Sequence, residues 1–79
     1  TQLEIISKKF LSLKKSIINH KNINKFLYVS KKNIENTFKI KIEYLENRNV
    51  KNLKISNKNF GSKIFLSYYF KDIRLIDNF

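Results

Sequence analysis

Leu3, Ile6, Phe10, Leu13 and Ile17 recur at alternating steps of three and four, while Lys8, Lys9, Lys14 and Lys15 fall largely off that stripe. This is the helical period, and it predicts an amphipathic helix over residues 3–18, with Ile17 and Ile18 able to leave it as extended chain. Asn19-His20-Lys21-Asn22 reads as a connection, and Asn22 is a suitable N-cap for a second helix. That helix, weaker than the first, is expected over residues 23–31, with Ile23, Phe26 and Leu27 on one side.

From residue 37 the period changes to two. Phe38, Ile40, Ile42 and Tyr44 alternate with Lys39, Lys41 and Glu43, the pattern of a half-buried strand. Glu46-Asn47-Arg48-Asn49 has turn chemistry. Residues 50–56 are expected to form a second strand with Leu53 and Ile55 inward, opposite Asn52 and Lys54. The loop 57–61 comes next and holds Gly61, the only residue that takes positive φ cheaply. Residues 62–70 predict the longest strand, with Ile64, Leu66, Tyr68 and Phe70 on one face and Lys63, Phe65, Ser67 and Tyr69 on the other. A last short segment, Asp72 to Ile76, reads as helical. The expected fold is α+β: two helices packed on one face of a three-stranded antiparallel sheet, in a single domain covering residues 1–79.

Composition adds a constraint. A chain of 79 residues buries only about 60% of its unfolded surface, so its stability is marginal. With no cysteine, neither a disulfide nor a thiolate-bound metal can compensate. Lysine, asparagine and isoleucine make up 38 of the 79 residues, and lysine outnumbers arginine 15 to 2. That usage fits an A+T-rich genome, such as that of an organelle, a parasite or a symbiont. It accounts for lysine over arginine but not for the charge, because Asp plus Glu total only 6 and the net charge is +11. Such an excess asks for a polyanionic partner. No run of 18 apolar residues exists to span a membrane. The first eighteen residues match a mitochondrial presequence only weakly, lacking arginine and carrying Glu4. The absence of methionine points to a chain that begins after processing or belongs to something longer.

Catalysis is poorly provided for. There is one histidine, no glycine-rich phosphate loop and no metal-ligand spacing, so no cofactor, metal or small-molecule substrate is expected and the chain does not read as an enzyme. His20 reads as a solvated loop residue. Glu43 and Glu46 would lie on an open, lysine-rich surface that cannot split their pKa values for acid–base work. The lysine clusters Lys8-Lys9, Lys14-Lys15, Lys31-Lys32 and Lys51/Lys54/Lys58/Lys63, by contrast, suit phosphate neutralisation. For Phe65 and Tyr69, protein contact or partial burial is a better reading than base stacking.

Residues 26–45, FLYVSKKNIENTFKIKIEYL, resemble the helix–turn–strand passage of the small-subunit ribosomal protein eight family. Phe26-Leu27-Tyr28 stand for the helix end, Ile34 and Phe38 for an "I-x-x-[YF]" step, and Lys39 to Leu45 for the strand. Residues 47–68, NRNVKNLKISNKNFGSKIFLSY, are similar to the family's turn and "V-I-x-x-[IL]-K" strand, then its basic Ser-Lys-Pro-Gly loop and the strand after it. Val50, Leu53 and Lys54 match the first part; Lys58, Gly61, Lys63, Ile64 and Phe65 match the second. LSLKKSIIN (11–19) resembles the basic stretch after the family's first helix. The loop lacks the family's Ser and Pro, and the likeness covers only the family's N-terminal portion. It implies an α/β domain bound to ribosomal RNA beside neighbouring ribosomal proteins, in a mitochondrial ribosome or another A+T-rich system. The implied RNA contacts are Lys14, Lys15, Lys58, Ser62 and Lys63, with Lys51 and Lys54 flanking them. The rival expectation is a protein-interaction or membrane-surface module using the helix 3–18 stripe.

Overall fold

The computed structural model describes the whole chain, Thr1–Phe79. Helix α1 runs Gln2–Ser16, with the Thr1 hydroxyl accepting from the Glu4 N–H at its start, and it tightens into a 3₁₀ turn at Ile17–Asn19. Helix α2 runs Ile23–Phe38 and is capped as expected by Asn22, whose side chain accepts from the Lys25 N–H. Strands β1 (Lys41–Asn49), β2 (Ser62–Phe70) and β3 (Ile73–Asn78) form one antiparallel sheet in the order β1-β2-β3. The α+β class and the three-stranded sheet under two helices are therefore as expected, but the third strand is not the one the pattern pointed to.

The stripe of α1 is fully used. Ile6, Phe10, Leu13 and Ile17 pack with Ile23, Leu27 and Ile34 of α2 and with Ile42, Leu45, Ile64, Leu66 and Tyr68 of the sheet. Each such side chain contributes about 1.5–3 kcal/mol on burial. The Phe10 and Tyr68 rings meet at 4.8 Å between centroids and tie α1 to the central strand. Leu3 is half-buried at the edge of this core.

Five expectations fail: the end of α2, the inward face of β1, the turn at 46–49, the strand at 50–56 and the helix at 72–76. Helix α2 continues past residue 31 because Ser30, Ile34 and Phe38 extend the stripe of Ile23 and Leu27 at steps of three and four. Phe38 is thus the last helical residue and not part of a strand; Lys39 closes the helix in the left-handed region, its N–H donating to the Glu35 carbonyl. In β1 the register shifts between Ile42 and Tyr44, so Glu43 is an extra residue and the faces exchange. Leu45 and Asn47 consequently point inward and Tyr44 does not, and residues 46–49 continue the strand instead of turning.

Residues 50–56 are not a central strand. The Leu53 backbone is left-handed (φ 60), and Leu53 and Ile55 are exposed. What remains of the pairing is one bridge, Arg48 to Ile55, flanked by main-chain bonds from Asn49 to Lys54 and from Ser56 to Asn47. This short strip lies along the end of β1 and covers an otherwise open edge. Finally, residues 72–76 are extended. Lys71 and Asp72 both take positive φ (49 and 67) in a two-residue turn whose twist suits a hairpin, so the chain returns beside β2 as β3. Such turns favour Asn-Gly, and Lys-Asp gives little signal of one.

That mismatch is testable. Replacing Lys71→Asn and Asp72→Gly together should relieve the left-handed strain by about 1 kcal/mol. The expected rise in Tm by calorimetry is about 4–8 °C for a domain of this size. An unchanged or lower Tm would argue against this hairpin.

Candidate nucleic-acid interface

The loop that replaces the expected strand joins β1 to β2 over residues 50–61, and it carries Lys51, Lys54 and Lys58. Its shape is set by asparagines. Asn47 is completely buried, and its Nδ2 donates to the carbonyls of Ser56 (2.8 Å) and Lys58 (3.0 Å). Its N–H donates to Oδ1 of Asn24 in the first turn of α2 (2.8 Å). Asn24 in turn donates through Nδ2 to the Ser56 carbonyl (2.8 Å) and to Asn57 Oδ1 (3.0 Å), and Asn57 Oδ1 also accepts from the Asn24 N–H. The first half of the loop has its own lock. Asn49 Oδ1 accepts from the Lys51 N–H, and the Arg48 guanidinium donates to the Leu53 carbonyl at 2.6 Å.

Three further bonds tie this loop and the start of β2 to the last turn of α1, the 3₁₀ turn after it and the C-terminal residue. Asn59 Nδ2 donates to the Ile18 carbonyl (3.3 Å), and Lys14 Nζ reaches the main-chain oxygens of Ser62 (3.5 Å) and Phe79 (3.2 Å). The structure therefore gathers Lys14, Lys58, Ser62 and Lys63 at one end of the molecule, with Lys51 and Lys54 along the same loop. Residues distant in sequence meet there, which no local pattern could show.

They are not equivalent. Lys15, Lys51, Lys54, Lys58 and Lys63 are exposed. Lys14 is half-buried and engaged with main-chain oxygens; burial, with the nearby Lys63 ammonium, holds its pKa below the ordinary lysine value. Ser62 is buried and its hydroxyl finds no partner. The Lys14 ammonium and the Ser62 carbonyl tie the end of the loop to α1, and the free charge among the seven sits on the other five.

The glutamates are occupied elsewhere, Asp77 accepts from the Asn78 N–H, and Asp72 has no partner. Glu4 faces the Thr1 ammonium, and Glu35 accepts from the Ile42 N–H. Glu46 pairs with Arg48 at 3.1 Å, and Glu43 with Arg74 at 2.6 Å. Both arginines are thus consumed within the fold, while none of the fifteen lysines pairs with a side-chain carboxylate. His20 is exposed and stacks on Phe26 at 4.1 Å. Phe65 and Tyr69 are half-buried on the outer sheet face, the partial burial expected of them. No helix is long and apolar enough to cross a membrane.

Two predictions arise. Asn47→Leu keeps the branching at Cγ but leaves the Lys58 carbonyl without its donor and the Ser56 carbonyl with Asn24 alone, at an expected cost of about 2–4 kcal/mol. Hydrogen exchange should then show the Asn49 and Ser56 amides losing protection, and retained protection would contradict the role given to Asn47. Glu43 is the acid-sensitive group. Hydrogen bonds from Arg74 first, then Ser67, hold its carboxyl below the usual carboxylate range. A depressed folded pKa means stability that is present at neutral pH and lost as pH falls through that folded value. Denaturation of Glu43→Gln between pH 7 and 3 should therefore show a shallower acid loss than the parent; equal slopes would count against the pairing. Comparison with protein-family models, with curated proteins and with solved structures finds no match for this chain.

Proposed function

We propose that this chain is a structural RNA-binding protein of a ribonucleoprotein, and that the assembly is the small ribosomal subunit. The observation that carries this reading is the charge account. With the four glutamates and both arginines engaged among themselves or with nearby protein groups, and no lysine paired with a side-chain carboxylate, the lysine excess faces outward uncompensated. Solubility needs far less than a net charge of +11. Lys51, Lys54, Lys58 and Lys63, carried on or beside the hydrogen-bonded loop, support the reading by giving part of that charge a fixed geometry. A rigid set of ammonium groups neutralises phosphates, releases counterions and sets orientation, with little sequence readout and no turnover.

The ribosomal part of the proposal rests on the resemblance of residues 26–45 and 47–68 to the small-subunit ribosomal protein eight family. Neighbouring ribosomal proteins and an A+T-rich system such as a mitochondrion belong to it as the expected setting. The rival use of helix 3–18 as a docking or membrane-surface element is disfavoured by the burial of Ile6, Phe10 and Leu13 in the chain's own core.

The test is salt dependence. For about four lysine–phosphate contacts on single-stranded RNA, the slope of log affinity against log salt should be roughly −3. Changing Lys51, Lys54, Lys58 and Lys63 together to Gln should flatten most of that slope while leaving Tm within a few degrees. A salt-insensitive affinity, or no affinity, would overturn the RNA reading. For the ribosomal setting, the native protein should co-sediment with small subunits from its source lysate. Migration free of RNA would overturn that setting.

A further inference from the structure

Phe60 is 94% exposed, more than any other large apolar residue in the chain. A partly exposed aliphatic residue on a helix needs no account, since apolar atoms make up much of any protein surface. A phenylalanine ring almost wholly in water is different, because nothing in the fold benefits from it. Its setting is also ordered on both sides. Asn59, just before it, is bonded through its side chain to the Ile18 carbonyl, and the Gly61 carbonyl, just after it, accepts from the Val50 N–H at 3.0 Å. Two residues earlier, the Lys58 carbonyl is held by the buried Asn47 amide. Gly61 takes the left-handed conformation (φ 70) that turns the chain at this point, and the space beside its Cα is open. The ring is therefore held outward by a tip tied to β1 through Asn47, to the start of the loop through Val50 and to the 3₁₀ turn after α1 through Asn59.

Its neighbours narrow what it can meet. Lys58 and Lys63 are exposed two and three residues away, and Asn57 and Asn59 lie close before the ring in the chain. Burying those amides in a lipid interface would be costly, whereas ammonium groups on either side of an aromatic face suit a nucleotide. The lysines meet successive phosphates and the ring meets the base between them. Because the tip is preorganised, little conformational entropy is lost on contact. We infer that Phe60 is a stacking site for an unpaired base, with Lys58 and Lys63 holding the flanking phosphates. The inference rests on the RNA-binding reading and adds its ligand class: a single-stranded or bulged nucleotide, not a continuous duplex.

The chain has no tryptophan, so Phe60→Trp installs a unique fluorophore at the tip without disturbing any packed residue. The probes are an unstructured uridine oligonucleotide, an RNA duplex of the same length and vesicles of phosphatidylglycerol. Phe60→Ala should weaken oligonucleotide binding about tenfold with an unchanged salt slope and unchanged Tm, and Phe60→Trp should restore it. The indole emission should be quenched by the oligonucleotide and far less by the duplex. If the parent binds the oligonucleotide with a steep salt slope but Phe60→Ala binds equally well, the stacking site is overturned and the RNA reading stands. If the parent binds no RNA, both fall. Blue-shifted, brighter emission on vesicles without quenching by RNA would assign the ring to lipid and overturn the inference.

Discussion

One buried amide organises the loop end of this molecule, where the RNA interface is proposed. Asn47 points inward only because the Glu43 bulge exchanges the faces of β1, and there it meets the carbonyls of Ser56 and Lys58. Without that contact the second half of the loop, around Ser56 to Lys58, would lose its side-chain tie to β1, while the first half stays locked by Asn49 and Arg48. With it, and with Asn24 reaching across from α2, the loop becomes part of the folded body. A buried polar group is costly unless bonded, so an asparagine enclosed this completely is retained for the geometry it imposes on the loop. Its Oδ1 and the Ser62 hydroxyl are the two buried side-chain atoms left without a partner. Both lie on the strands that flank this loop, so the places where hydrogen bonding is least complete adjoin the proposed interface.

The charge distribution obeys a related logic. A fold this small carrying +11 works against its own repulsion, yet its few acids are not placed to relieve the lysines. Glu43 holds Arg74 and Ser67 across three strands, Glu46 holds Arg48, and Glu35 satisfies the Ile42 N–H beside the β1 bulge. The acids thus fasten the sheet, and the lysines are left to the surface. A polyanion that met those lysines would remove the repulsion and stabilise the folded state by mass action. Under the proposed function, stability and binding are coupled through the same residues.

Much of the fold was legible in the hydrophobic period. The stripe of α1, the Asn22 cap, the alternation of β2 and the positive φ of Gly61 all come from residue type and spacing. The length of α2 was present in the period of Ser30, Ile34 and Phe38 and was masked by the competing strand-like alternation from residue 38, whereas elsewhere tertiary contacts or turn chemistry outweighed a local pattern. Leu53 and Ile55 alternate like strand residues, but Asn24 and Asn47 draw Ser56 and Asn57 away before a strand can lengthen. Lys71-Asp72 lacks the glycine that marks a tight hairpin, which hid β3. The site was legible only as a list of lysines. That Lys14 and Ser62 serve positioning, while Phe60 stands free among exposed lysines, depends on bonds between segments more than thirty residues apart. No single-sequence signal carries such contacts.

The central claim is that binding belongs to the asparagine-held end and not to the outer sheet face. A two-dimensional amide NMR titration of the protein with single-stranded RNA, at low and at physiological salt, tests it most directly. The expected result is shift changes confined to residues near Lys15–Lys21 and along 50–63, shrinking as salt rises. Shifts centred instead on Tyr44, Ser67 and Ile76 across the outer sheet, or changes indifferent to salt, would contradict it.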